Sequence, residues 1–159
     1  MKAILTTFFV LSLQLSQAQC ALAQAPFEDE SPVKADLREA IFRYMFETYD
    51  YGGSVKFFCI EAERPLPEGF LQRFSGHKVS VVWASNCERS GPMNAIREKK
   101  TGKRGLLVAI RSIHLISGGE AQADVEAFSD GIAANTNVLK LVRKTNKWIV
   151  KSDKTTGVS

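Results

Sequence analysis

The chain has little of what most enzyme chemistries require. Among its 159 residues there are only two histidines, His77 and His114, and three cysteines. The histidines stand far apart, and neither has a second ligand at helical spacing. Two of the cysteines without a nearby histidine pair do not make a zinc site, so no metal is expected. None of Ser54, Ser75, Ser90 and Ser117 stands in a glycine-x-serine-x-glycine elbow. Gly102-Lys103-Arg104-Gly105 is a basic turn that lacks the strand and helix of a phosphate-cradling loop. Beyond the N-terminus no apolar run is long enough to span a bilayer. These absences leave no catalytic residue, cofactor or metal to name.

The N-terminus lacks acids altogether between Met1 and Pro26. It has one cation, Lys2, then the apolar run Ala3–Val10, extended by Leu11, Leu13 and Leu15. Ala23-Gln24-Ala25 has the small-x-small form that a signal peptidase pocket accepts. The pattern predicts a signal peptide over residues 1–25 and a periplasmic or extracellular location. Cleavage after Ala23 or Ala18 stays open. A membrane anchor is the weaker reading, because the apolar stretch is short for a bilayer core. Lipidation at Cys20 is disfavoured by the bulky amide of Gln19 directly before it. Removing residues 1–25 leaves 134 residues, ample for one hydrophobic core, and lowers the net charge from +4 to +3. A charge of that size is ordinary and does not point to nucleic acid.

Two cysteines survive such processing, Cys59 and Cys87. In an oxidising compartment a pair of thiols in a small domain is expected to be bridged. Two buried thiols, or one unpaired reactive thiol, are the alternatives.

Residues 26–34 read as an acidic, proline-punctuated leader, 35–153 as one domain and 154–159 as a C-terminal tail. A helix is predicted over Ala35–Tyr49, where Ile41, Met45 and Tyr49 recur at a spacing of four beside Leu37, Phe42 and Phe46. Asp50-Tyr51-Gly52-Gly53 ends it. Ser54–Ile60 reads as a strand, with Val55, Phe57 and Cys59 on one side and Phe58 and Ile60 on the other. Glu68–Phe74 reads as a short helix and Val79–Ala84 as the next strand. Gly105–Ser117, Ala121–Phe128, Val138–Arg143 and Trp148–Lys151 follow as strands, with Ser129–Asn137 as a loop. Lys144-Thr145-Asn146-Lys147 is a hairpin connection. Short strands on short loops should pair antiparallel. The sum is an α+β domain, a long N-terminal helix packed on a curved antiparallel sheet.

That element order resembles the cystatin-like and nuclear-transport-factor-2-like group of folds. So does the closing segment, Leu139-Lys140-Leu141-Val142-Arg143-Lys144 through Lys147-Trp148-Ile149-Val150. A general likeness to small exported bacterial proteins adds no chemistry. The fold group includes isomerases and dehydratases that work inside a cone between helices and sheet, using acids, tyrosines or histidines. The matching candidates here are Asp50 and Tyr51 at the helix exit, Tyr44 and Tyr49 on the helix, and His114. Asp50 reads first as a turn residue, His77 as a solvated loop residue, and His114 as a core or edge residue on the strand face shared with Ile110 and Ile116. No second acid stands at matching spacing.

One charge cluster stands out: Arg97, Lys99, Lys100, Lys103 and Arg104 lie within eight residues, relieved only by Glu98, with Arg89 nearby. It reads either as a solvated hairpin or short helix, or as a docking surface for an acidic protein or envelope component. No aromatic side chains interleave with the cations to stack bases, so specific nucleic-acid binding is not expected. Three classes of function stand: a noncatalytic exported domain binding through this patch, a small-ligand carrier or isomerase-like enzyme with a helix–sheet pocket, and a structural or accessory homodimer.

Overall fold

The computed structural model describes residues 31–49, 53–130 and 133–158. The expected signal peptide, Cys20, most of the expected leader, Asp50 and Tyr51 lie outside the described residues. What is described is an α+β arrangement of two helices and a mixed six-stranded sheet, with a small hairpin on the sheet's other face.

Helix α1 spans Pro32–Thr48. It starts three residues before the expected position, inside the expected leader, because Pro32 at its first turn is preset for helical φ and has no N–H to satisfy. Leu37, Ile41, Phe42, Met45 and Phe46 form its buried stripe. A short 3₁₀ helix, Glu68–Phe74, adds Phe70 and Phe74 to the same layer. The rings interlock: Phe46 stacks on Phe58 at 4.2 Å, and Phe42 meets Phe70 edge-on at 6.1 Å.

The strands are β1 (Phe57–Glu61), β2 (Ser80–Trp83), β3 (Cys87–Ser90), β4 (Ala95–Glu98), β5 (Leu106–Ser117), β6 (Glu120–Asp130), β7 (Ala133–Lys144) and β8 (Lys147–Val158). The main sheet runs β2-β1-β5-β6-β7-β8. The expectation of a wholly antiparallel sheet is corrected here: β1 pairs parallel with both β2 and β5. The cause is the connection after β1. Residues 62–79, with Pro65, Pro67 and the 3₁₀ helix, are long enough to return the chain to the same end before β2 begins.

Strands β5 to β8 form an antiparallel meander. The expected loop over Ser129–Asn137 is mostly strand, since β6 reaches Asp130 and β7 starts at Ala133. Strand β8 likewise runs through residues expected as a tail, pairing Val158 with Asn135. The β7–β8 connection is tight: Lys144 pairs with Lys147, and Thr145 and Asn146 both take positive φ, as a two-residue turn of matching twist requires.

Strand β5 contains a bulge that reverses its facing. Ile110 pairs with Val125, but Ser112 pairs with Asp124, so Arg111 is the extra residue. Before it, Leu106, Val108 and Ile110 face α1. After it, Ile113 and Leu115 take that side, opposite Ala123 and Ala121. His114 therefore faces outward, exposed, and does not share a face with Ile110.

Among the described residues, the sheet's second face is covered at one end only. Phe57, Cys59 and Ile96 are buried there, with Leu107, Cys87 and Phe128 packed against them. Phe57 thus belongs to this smaller cluster, and Phe58 fills the helix side. Gly105 sits against Phe57: a Cβ on it would lie 2.4 Å from the ring.

Candidate functional site

The basic cluster is built on the β3–β4 hairpin and the turn that follows it. Cys87 begins β3 and is disulfide-bonded to Cys59, which is fully buried in β1. The hairpin is therefore fastened covalently to an interior strand of the main sheet. Its outgoing turn closes on itself. The Gly102 N–H donates to the Glu98 carbonyl at 2.8 Å, the Glu98 N–H to the Lys103 carbonyl at 3.0 Å, and the Gly105 N–H to the Ile96 carbonyl at 3.0 Å. Arg97 and Arg104 face each other across an isolated bridge.

The five cations named from the sequence fall into three groups. Arg97 donates from Nη1 to the Gly102 carbonyl at 2.8 Å, and Lys99 donates from Nζ to the Ser85 carbonyl at 2.8 Å. A carbonyl fixes the direction of such a side chain without cancelling its charge. Arg104 forms an ion pair with Asp130, whose carboxylate is nearly buried. Lys100 and Lys103 are exposed at the turn, with no acid in ion-pair range among the described residues. Arg89, on the neighbouring strand, lays its guanidinium 4.1 Å above the Phe128 ring. The structure thus brings these cations onto one hairpin and its turn, with one of the five charge-paired by Asp130.

The tyrosine candidates lie elsewhere. Tyr44 donates to Asp153 at 3.0 Å, and Asn137 donates from Nδ2 to the other oxygen of Asp153 at 2.6 Å. Tyr49 donates to the Asn137 side-chain oxygen at 2.9 Å. This chain of bonds braces α1 against β7 and β8. Burial and then the adjacent Asp153 push the Tyr44 phenol above its ordinary range, so it stays protonated and serves as a donor. Asp153 is the acid that sequence spacing did not supply. It stands 109 residues from Tyr44, and only the meander brings it there.

His77 is not a solvated loop residue. Its ring packs edge-on against Phe46 at 5.2 Å and Phe58 at 5.8 Å, and Nδ1 lies 2.9 Å from the Val79 carbonyl. It lies on the helix side of the sheet, whereas His114 faces away from it, so the two do not converge. Among the described residues no group of three histidine, cysteine or acidic side chains could hold a metal ion. No helix there is long and apolar enough to cross a membrane. Comparison of the chain with family models, with curated proteins and with solved structures finds no match in any of the three.

Proposed function

We propose that the protein is a noncatalytic binding domain, exported to the periplasm or the cell exterior, that docks an acidic protein or envelope component through the β3–β4 hairpin and its turn. The observation that carries this reading is the way the cations are held. Arg97 and Lys99 are oriented by backbone carbonyls that leave their charge intact, and Lys100 and Lys103 stand exposed beside them. Orientation in advance lowers the ordering cost of binding, and a concentrated field of one sign speeds encounter with an opposite one. The disulfide supports the same reading, because it holds the hairpin at a fixed place on the sheet.

The fold is proposed to belong with the cystatin-like and nuclear-transport-factor-2-like group, a helix laid on a curved sheet. The isomerase-like alternative draws less support. The helix–sheet interior is occupied by Phe42, Phe46, Phe58 and Phe70, and the Tyr44–Asp153–Asn137–Tyr49 hydrogen bonds already engage its polar groups.

The test is capture from envelope extract at low and high salt, comparing the parent with a Lys99→Glu, Lys100→Glu, Lys103→Glu variant. A partner recovered by the parent at low salt and lost with the variant supports the proposal. Equal recovery by both proteins at both salt levels would remove it.

A further inference from the structure

We propose that a second site, a cleft between the first turns of α1, the connection after β1 and the outer end of β5, binds an amphipathic anion: a carboxylate or phosphate head bearing an alkyl tail. The cleft has a volume of about 330 Å³, within the range of small-ligand sites.

One wall is cationic. Lys34, Arg38, Arg64 and Arg111 all line it, against a single acid, Glu63. Two of these charges are already neutralised. Arg38, almost fully buried, is held by Glu63 through Nε and Nη2. Arg111 is held by Glu126 at 2.7 Å and Glu61 at 3.1 Å. Lys34 and Arg64 have no acid in ion-pair range among the described residues, yet border the same cleft. Lys34 and Arg64, beside a fixed, neutral Arg38–Glu63 pair, make a receptor for one anionic head. The positive end of the α1 dipole lies at the same end of the helix and adds to the field.

The rest of the lining is largely apolar and left partly uncovered. Leu37 is buried at its base, with Ile113 and Leu115 beside it. The bulge at Arg111 is what turns Leu115 toward the helix side, yet Leu115 remains 49% exposed, whereas Ile110 before the bulge is 1% exposed. An alkyl chain lying on Ile113 and Leu115 would cover that surface while its head met Lys34 and Arg64. Inorganic phosphate would satisfy only the cationic wall. The site shares no residue with the basic hairpin, so the two proposals fail independently.

The experiment titrates the purified protein with decyl phosphate, below its aggregation threshold, and with inorganic phosphate, by calorimetry. The key variant is Lys34→Glu with Arg64→Glu. Neither change should disturb folding, because Arg64 is exposed in a loop and an acid in the first turn suits the helix dipole. Lys140→Glu with Lys154→Glu, on the outer face of β7 and β8, has the same net charge and serves as the control. Decyl phosphate should bind the parent and the control alike, and bind the Lys34/Arg64 variant at least about tenfold more weakly. It should also bind the parent about tenfold more tightly than inorganic phosphate does. Equal losses in the two variants, or no advantage of the decyl chain, would overturn the site. A parallel sedimentation with phosphatidylglycerol vesicles identifies the source: retention that the Lys34/Arg64 variant loses assigns the head to a membrane lipid, and no retention assigns it to a free amphiphile.

Discussion

Cys59, buried in β1, is bonded to Cys87, the first residue of the hairpin that presents the cations. The bond spans 28 positions of sequence. Changing both cysteines to serine should lower unfolding free energy by roughly 3–4 kcal/mol on the chain-entropy account. Chemical denaturation of the oxidised parent and the variant measures this, and intact mass with alkylation confirms the bridge. Hydrogen exchange should rise first in residues 87–98, since the hairpin touches the rest of the molecule through few buried side chains. Unchanged stability, with two freely alkylated thiols in the parent, would contradict the bridge.

Gly105 leaves no room for a side chain. Its added Cβ would meet the Phe57 ring at 2.4 Å and the Phe57 carbonyl oxygen at 2.6 Å, and the second contact is with backbone, which cannot swing away. Gly105→Ala should therefore destabilise by about 1–3 kcal/mol, the usual cost of overpacking. Gly118→Ala is the matched control, because nothing lies within 4 Å of the Cβ it would add. Urea midpoints of the two variants give the comparison, and equal midpoints would refute the close packing.

The Tyr44–Asp153 bond predicts a fall in stability at alkaline pH. The Tyr44 phenol is raised by burial and by Asp153, so the folded state holds its proton more tightly than the unfolded state. This stabilisation is fully present below about pH 10, the ordinary tyrosine value, and is lost as pH rises through the higher folded value. Lysines titrate in the same window, so the readout is the difference between the parent and Tyr44→Phe. Their stabilities should converge as pH rises beyond 10, and a constant difference would dismiss the coupling.

Asn137 joins the two tyrosines through one carboxylate. Asn137→Leu would remove the hydrogen bond that Asn137 accepts from the Tyr49 hydroxyl and the one it donates to Asp153. A loss of about 1–3 kcal/mol is expected for the two hydrogen bonds removed. Thermal or urea unfolding decides it.

Much of this was legible in the chain, and the rest had physical reasons to be hidden. The stripe of Leu37, Ile41, Phe42, Met45 and Phe46 and the alternation through Ala121–Phe128 are local, so their periods predict burial directly. The cysteine pair was readable from count and compartment. The parallel pairing of β1 was not, since it depends on where a long connection returns rather than on any residue in the strand. Nor was the facing of His114: one extra residue at Arg111 inverts the side chains from Ser112 to Leu115, and nothing in Ile110-Arg111-Ser112 marks a bulge. Asp153 escaped notice because a lone acid just past the expected strand Trp148–Lys151 shows no partner until the meander brings Tyr44 and Asn137 to it. The cations of residues 97–104 were visible as a cluster, but their sorting into carbonyl-oriented, acid-paired and unengaged groups required coordinates.

The central claim is that the hairpin docks an acidic partner through charge. Its most direct test is the association rate of the captured partner with the purified protein, followed by surface binding across a series of salt concentrations. The parent should associate quickly at low salt and slow steeply as salt screens the field. The Lys99→Glu, Lys100→Glu, Lys103→Glu variant should associate more slowly at low salt and lose most of that dependence, with its unfolding midpoint unchanged. A variant that keeps both the parent's rate and its salt slope would contradict the account.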